Sequence, residues 1–183
     1  MKMNRISAAV LISAAAWGWA GSPALAALPV GATAPEFTTQ ASLAGKAMPF
    51  DLDAALVKGP VVLYFYPAAF TKGCTIEAHD FAEATADFNK LGATVVGVSK
   101  DPIDTLDKFS VSECRNKFAV ASADAKVISE YDVQLPIIGR SNRTSFVIAP
   151  DHKIIFVYSA MDPAGHVEKT MAAVKAWRAA HGS

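Results

Sequence analysis

Cys74 is the residue whose type and position most favour chemistry in this sequence. It comes shortly after the apolar run Val61–Tyr66, which is typical of a buried strand, and it opens a segment with helical periodicity. At a helix N-terminus, backbone N–H groups and the positive end of the helix dipole stabilise a thiolate, which is the nucleophilic form of cysteine. Position alone leaves two alternatives open: an inert cysteine of the core and one half of a structural disulfide.

A predicted strand before Cys74 and a predicted helix that begins at Cys74 determine whether this cysteine lies at a helix N-terminus. Gly59-Pro60 leads into the strand Val61–Tyr66 and Pro67 closes it. Four side chains between Ala78 and Phe88 recur at helical spacing, which predicts an amphipathic helix from about Cys74 to Lys90. Cys74 is therefore expected in the first helical turn, at the end of a buried strand.

The rest of the chain continues to alternate strands and helices. The further predicted elements are a strand Thr94–Ser99, a helix begun by Asp101-Pro102, a short strand Phe118–Ala121, a short helix Lys126–Tyr131, a hairpin of Thr144–Ile148 with Ile154–Tyr158, and a terminal helix carrying Val167, Met171, Val174 and Trp177. Those last four side chains are expected to pack on the sheet. This order predicts an α/β domain with a mixed central β-sheet flanked by helices, and it is similar to the thioredoxin-like fold.

Composition excludes several classes of protein. The chain has 183 residues, 52% of them hydrophobic, which is enough for one globular domain with a sizeable core. Basic and acidic side chains balance at 17 each, so nothing in the overall charge favours nucleic acid. Two cysteines allow at most one disulfide and cannot form a four-thiolate metal site.

Residues 1–26 have the pattern of a cleavable secretory signal. Lys2 and Arg5 precede an uncharged apolar stretch, and Ala24 and Ala26 supply the small residues that signal cleavage requires. We predict cleavage after Ala26, which leaves residues 27–183 as one domain that is not bound to a membrane. The alternative is a retained N-terminal anchor helix, although the apolar stretch is short for a span. Export would place the cysteines in an oxidising compartment, the periplasm in a Gram-negative bacterium and otherwise outside the cell.

The spacing around Cys74 matches a known family. Pro67, Thr71 and Cys74 form the pattern P-x-x-x-T-x-x-C, and further matches occur at Gly31–Phe37 and Arg143–Phe146. With these residues the sequence resembles the peroxiredoxins, specifically the bacterioferritin-comigratory-protein or PrxQ-like branch, as an exported member. The resemblance implies a thiol-dependent peroxidase that reduces hydrogen peroxide and organic hydroperoxides without a metal or organic cofactor.

The resemblance also implies a role for each residue of the pattern. Cys74 would be the peroxidatic nucleophile, and Thr71 would place its hydroxyl beside the sulfur and the bound peroxide. Arg143 would donate to the thiolate and the peroxide oxygens, while Pro67 would wall the pocket against water. Each has a simpler alternative: Thr71 as a helix cap, Arg143 as a surface charge and Pro67 as a strand terminator. Glu77 matches the family as well and could orient Arg143 through an ion pair.

Cys114 is the candidate resolving cysteine. Many PrxQ-like proteins carry that residue five places after the peroxidatic cysteine, where this sequence has His79. Other members carry it on or just after the next helix, which is the region of Cys114. The resemblance therefore implies that the Cys74 sulfenic acid condenses with Cys114 into an intramolecular disulfide, after the first helical turn unwinds. A structural Cys74–Cys114 disulfide is the alternative.

Other functions have weaker support. An exported thiol–disulfide oxidoreductase would carry C-x-x-C, but Thr71 occupies the first position here. A non-catalytic binding module held by one disulfide is a second alternative. His79, His152, His166 and His181 show no metal-ligand spacing and are expected on the surface. The expected partners are a hydroperoxide and a thioredoxin-like or other dithiol reductant, for a protein that is a monomer or a weak dimer.

Overall fold

The computed structural model describes residues 27–182, and the predicted signal segment lies outside them. In chain order the described elements are β1 (Thr38–Leu43), β2 (Lys46–Asp51), α1 (Leu52–Leu56), β3 (Val61–Phe65), α2 (Lys72–Lys90), β4 (Thr94–Ser99), α3 (Ile103–Ser112), β5 (Ala119–Ser122), α4 (Ala125–Glu130), β6 (Thr144–Ile148), β7 (Ile154–Ser159) and α5 (His166–His181). Within this range, no helix has the length and apolar character needed to cross a membrane.

The seven strands form one mixed sheet in the order β2-β1-β5-β4-β3-β6-β7. The central strand β3 runs parallel to β4 and antiparallel to β6. Because β6 is antiparallel to β3, its first residue, Thr144, pairs with Phe65 at the end of β3. The start of β6 and the loop leaving β3 therefore meet at the same edge of the sheet.

Alternating side chains of β3 build a core on each face of the sheet. Val61, Leu63 and Phe65 face the layer that contains α1 and α4. Val62 and Tyr64 face the layer that contains α2, α3 and α5. The β3 strand is buried along its whole length, which confirms the expectation drawn from its continuous apolar run.

Several boundaries differ from the sequence prediction, and one hairpin was not predicted. Helix α2 begins at Lys72, so Cys74 is its third residue, and Pro102 precedes α3 instead of lying within its first turn. Strands β1 and β2 form an antiparallel hairpin at the sheet edge. Five of the six β2 side chains are exposed, so this strand lacks the apolar alternation that reveals a half-buried strand.

The terminal helix packs on the sheet through fewer residues than its periodicity suggested. Val174 is fully buried, whereas Val167, Met171 and Trp177 are half-buried. The first residue of α5, His166, is fully buried, so the expectation of a surface position for this histidine is wrong. Its surroundings belong to the candidate active site.

Candidate active site

Cys74 lies buried in the first turn of α2, the helix that follows β3 at this edge of the sheet. Thr71 occupies the N-cap position with extended backbone, and its carbonyl accepts from the Thr75 N–H at 2.9 Å. Cys74 belongs to the apolar cluster between α2, α3 and the sheet, and the N-terminus of a helix is a position where anions are stabilised in general. The placement predicted from the sequence is therefore present in the fold.

Arg143 provides the cation at this thiol. It immediately precedes β6, and its Nη2 donates to Cys74 Sγ at 3.4 Å. Nε donates to the Met161 carbonyl at 3.0 Å and Nη1 donates to Glu77, so three different partners orient the buried guanidinium. Burial lowers the pKa of Arg143. Glu77 and Cys74 raise it by a larger amount, so the pKa lies above its ordinary value. Arg143 is thus a fixed positive charge and not a surface residue.

Gly73 makes the approach of Arg143 possible. A Cβ atom at this position would lie 3.0 Å from Arg143 Nη2 and 4.0 Å from Pro163 Cδ. Such a contact to a guanidinium held on three sides is tighter than ordinary packing, so a side chain here would push Arg143 away from the sulfur.

Glu77 is the buried partner of Arg143 on α2, one turn after Cys74. Burial raises its pKa to about 8, although the charge and hydrogen bond of Arg143 act in the opposite direction. Oε2 accepts from Arg143, whereas Oε1 has no hydrogen-bond partner among residues 27–182. The ion pair suggested by the sequence is present, but one carboxylate oxygen faces elsewhere.

That second oxygen faces His166, which the sequence analysis placed on the surface. His166 Nδ1 lies 3.5 Å from Glu77 Oε1 and 2.8 Å from Ser145 Oγ, and Nε2 lies 3.0 Å from the Ala160 carbonyl oxygen. Burial is the main reason that the pKa of His166 is lowered to about 4. No spacing in the sequence could have joined a residue of the terminal helix to α2.

A second arginine fixes the loop between β3 and α2. Arg140 Nη1 donates to the Pro67 carbonyl and to Asp101 Oδ1, both at 3.0 Å. Asp101 Oδ2 in turn accepts from the Ala69 N–H at 2.7 Å. Arg140 and the side chain of Asp101 lie outside the sequence motif, yet together they hold the residues that lead to Thr71.

Thr71 and Pro67 lie on this loop at the mouth of the site. Pro67 is half-buried, and Thr71 is exposed with its hydroxyl donating to the Ala68 carbonyl at 3.0 Å. Thr71 makes no side-chain capping hydrogen bond to α2, although it occupies the N-cap position. Phe70, just before it, has a φ of 63°, a left-handed conformation that is costly for a residue with a side chain.

Cys114 is a buried free thiol just beyond the end of α3, and Cys74 is free as well. Both belong to the same apolar cluster between α2, α3 and the sheet. Burial, with a smaller contribution from Glu113, raises the pKa of the Cys114 thiol well above its ordinary value. Packed in this way, Cys114 stays protonated and unreactive.

One histidine contacts acidic groups far from this site. His152 Nε2 lies 3.0 Å from Asp53 Oδ1, and Nδ1 lies 3.6 Å from Glu36 Oε1. Three distant segments supply these residues, so no metal-like spacing appears in the sequence. Both carboxylates are largely exposed, and an ion pair with His152 accounts for the arrangement.

Comparisons with known proteins identify the family. Residues 30–157 match the model of the AhpC/TSA family. The chain belongs to this family. A peroxiredoxin Bcp of Xanthomonas campestris is 30% identical over 155 residues, which are 75% of this chain and 97% of that protein.

Solved structures agree with this membership. The peroxidoxin BcpB of Mycobacterium tuberculosis superimposes with a TM-score of 0.74 at 34% identity, covering 80% of this chain and 96% of the other. A PrxQ mutant of Xylella fastidiosa gives 0.72 at 26% identity, covering 82% and 97%. These similarities confirm the thioredoxin-like fold and the PrxQ-like branch.

The protein is therefore a peroxiredoxin, a thiol-dependent peroxidase. Enzymes of this class use peroxide substrates and thioredoxin-like reductants. Of the three functions weighed from the sequence, the peroxidase is the one that the comparisons support. The binding module and the thiol–disulfide oxidoreductase are set aside.

Proposed function

We propose that Cys74 of this peroxiredoxin is the peroxidatic nucleophile and that Arg143 stabilises the charges that develop around it. The observation that carries this assignment is the donation from Arg143 Nη2 to Cys74 Sγ at 3.4 Å, at the N-terminus of α2. A guanidinium with fixed donors suits this task, because it stays protonated and needs no reorganisation when peroxide binds.

In the first step the Cys74 thiolate attacks one oxygen of the hydroperoxide. The S–O bond forms while the O–O bond breaks, and the other oxygen leaves with the electron pair as alkoxide or hydroxide and takes up a proton. The sulfur is oxidised to sulfenic acid and the peroxide is reduced to alcohol or water. Arg143 Nη2 lies beside the sulfur that loses charge, and we expect the same guanidinium to donate to the oxygen that gains it.

Thr71 and Pro67 complete the proposed pocket. The loop that carries them is tied to Arg140 and Asp101, so the Thr71 hydroxyl starts from a defined position at the mouth. On peroxide binding this hydroxyl exchanges the Ala68 carbonyl for a peroxide oxygen. Pro67 has no N–H to hydrate and covers one side of the pocket.

Cys114 is the proposed resolving cysteine. Its thiolate attacks the sulfenic sulfur of Cys74, a disulfide forms, and the sulfenic oxygen leaves as hydroxide, which becomes water. Both thiols are buried in the reduced protein, so the first turn of α2 and the segment after α3 must open before the sulfurs meet. A thioredoxin-like or other dithiol then reduces the disulfide and returns both thiols.

We further propose that the enzyme is exported and acts as a monomer or weak dimer. The basic start, the apolar stretch and Ala24-x-Ala26 support removal of residues 1–26 by a signal peptidase. N-terminal sequencing of the protein recovered from the exported fraction is expected to begin at Ala27. Recovery of the chain with Lys2 and Arg5 would refute cleavage.

The catalytic assignment is tested by following hydrogen peroxide consumption with dithiothreitol as reductant. Residues 27–183 are expected to turn over repeatedly, whereas Cys74→Ser is expected to be inactive. His181→Ser serves as the matched control, because His181 is exposed at the end of α5. Consumption that survives in Cys74→Ser would reject Cys74 as the nucleophile.

A further inference from the structure

The two oxygens of Glu77 have different surroundings. Oε2 is bound by Arg143, but Oε1 is sealed from solvent without a hydrogen-bond partner within residues 27–182. The ring nitrogen Nδ1 of His166 lies 3.5 Å from Oε1, and both side chains are fully buried. A buried polar atom without a partner is costly and calls for an explanation.

The hydrogen bonds of His166 fix which of its nitrogens carries a proton. Nε2 lies 3.0 Å from the Ala160 carbonyl, which can only accept, so Nε2 is the donor. In the neutral ring Nδ1 is then an acceptor with a single lone pair, which the Ser145 hydroxyl at 2.8 Å and a protonated Glu77 Oε1 at 3.5 Å would share. An ionised Glu77 would therefore place the lone pairs of Oε1 opposite the lone pair of Nδ1.

The charge balance of the site points the same way. A Cys74 thiolate and an ionised Glu77 both depend on Arg143, the one cation that bonds to them among the described residues. Two anions and one cation in a buried cluster leave a net negative charge, which is expensive in a medium of low polarity. One additional proton makes the cluster neutral and removes the repulsion between Oε1 and Nδ1.

Accepting Cys74 as the peroxidatic residue, we propose that Glu77 and His166 hold one proton between them in the resting enzyme, placed on Glu77 Oε1 towards His166 Nδ1. The pair is then neutral, and the charge of Arg143 is left for the thiolate. His166 is in this sense a positioning residue that acts through Glu77 and Arg143. It also bonds Ala160, the neighbour of Met161, whose carbonyl accepts from Arg143 Nε.

Other groups around the pair mostly favour retention of this proton. They are Asp80 and Cys74 on α2, Tyr64 on β3, Tyr158 on β7, Asp162 in the loop before α5 and Lys169 on α5. Asp80 raises the pKa of Glu77, and Asp162 raises that of His166. Lys169 lies over the Tyr158 ring, with Nζ 4.5 Å from its centre, and the same ring contacts His166 edge to face.

Loss of this proton should slow catalysis at alkaline pH. When the pair loses its proton, Glu77 becomes an anion and competes with the Cys74 thiolate for Arg143. Cys74 should then react more slowly. The rate of peroxide reduction should therefore decline above about pH 8, the value to which burial raises the pKa of Glu77.

A first measurement does not depend on activity. Infrared spectra of the reduced protein at neutral pH should show the carbonyl band of a buried carboxylic acid, which disappears on alkaline titration and is missing in Glu77→Gln. ¹⁵N spectra of histidine-labelled protein should show His166 protonated at Nε2 only. Absence of the infrared band, or a His166 protonated on both nitrogens at neutral pH, would overturn the proposal even in a fully active enzyme.

A second measurement follows the single-turnover rate with hydrogen peroxide and the rate of Cys74 alkylation as a function of pH. In Glu77→Gln the alkaline decline should be lost. In His166→Gln, whose amide can donate to an ionised Glu77, the decline should move to lower pH by about one unit. His181→Gln, a substitution on the same helix at an exposed position, should leave the profile as in the wild type.

Two results of this second measurement would contradict the proposal. One is an alkaline decline that persists in Glu77→Gln. The other is a Cys74 alkylation midpoint that moves to lower pH by about one unit or more in this variant, since that shift is expected when an ionised neighbour is removed. An inactive wild type would instead refute the proposed function and leave the infrared test of the proton standing.

Discussion

His79 Nε2 lies 2.8 Å from Glu113 Oε2, which joins α2 to the residue that precedes Cys114. His79 stands five residues after Cys74, the position at which the resemblance to the PrxQ-like branch implies a resolving cysteine in many members. In this chain the contact from His79 therefore holds the segment that carries Cys114 against α2. Cys114 follows Glu113 directly and is buried, so the proposed disulfide with Cys74 would break this contact or move it together with Cys114.

Weakening this contact should speed the formation of the Cys74–Cys114 disulfide. A partly exposed polar contact of this kind contributes about 0.2–1 kcal/mol, so His79→Ala should raise the rate by up to about fivefold. Rapid mixing with one equivalent of peroxide, followed by thiol trapping and mass spectrometry, measures this rate. Lys90→Ala removes another ion pair of α2, with Asp87, and should have no effect. An unchanged rate in His79→Ala would show that the contact does not limit resolution.

Replacing Cys114 should separate peroxide reduction from resolution. In Cys114→Ser the Cys74 sulfenic acid should form at the wild-type rate, because Cys114 makes no contact with the Arg143 donors. The sulfenic acid should then persist and be over-oxidised to sulfinic acid by excess peroxide. Mass spectrometry of single-turnover samples follows both species. Normal repeated turnover with a dithiol, without a disulfide-linked dimer, would exclude Cys114 as the resolving thiol.

Arg143→Lys should keep the positive charge at the site but lose the separate donor positions of the guanidinium. The three N–H groups of an ammonium start from one nitrogen, so they cannot span the positions at which Nε, Nη1 and Nη2 of the guanidinium meet the Met161 carbonyl, Glu77 and Cys74. Loss of a preorganised donor typically lowers the rate about 100-fold or more, and we expect kcat/KM for peroxide to fall by that factor. Arg178→Lys, at an exposed position of α5, is the matched control. A decrease of less than about threefold in Arg143→Lys would show that charge alone is sufficient.

Stability should depend on pH through Glu77. Burial raises the pKa of Glu77 from 4.5 to about 8, so the folded protein binds this proton more tightly than the unfolded chain does. The stability that the bound proton of Glu77 contributes is fully present below pH 4.5 and is lost as the pH rises through about 8. Urea unfolding at a series of pH values should therefore show the wild type losing stability over this window relative to Glu77→Gln. Parallel curves for the two proteins would contradict the raised pKa.

His166 should act on stability with the opposite sign. Burial lowers its pKa from 6.5 to about 4, so its contribution is present above pH 6.5 and is lost as the pH falls through 4. The acid limb of the same unfolding series should be shallower in His166→Gln than in the wild type. His181→Gln should leave it unchanged.

Local patterns in the sequence predicted most of the elements that carry the candidate site. The continuous apolar run of β3 and the periodicity of α2 place Cys74 in a helical first turn, which the structure contains with a start two residues earlier. These features depend on neighbours within one or two turns of the chain. The exposed strand β2 has no such pattern and was not predicted.

Sequence patterns were sufficient to predict Cys74 as the candidate reactive thiol, the strand and helix that present it and, through the resemblance to a family, the arginine beside it. The contacts of Arg143 with Cys74 and Glu77, of Arg140 with the loop at Pro67 and of His166 with Glu77 appear only in the folded chain. The cause of this difference is sequence separation. Periodicity records which face of an element is buried, but contacts between residues 66 or more positions apart arise only when the strands pair and bring their ends to one edge of the sheet.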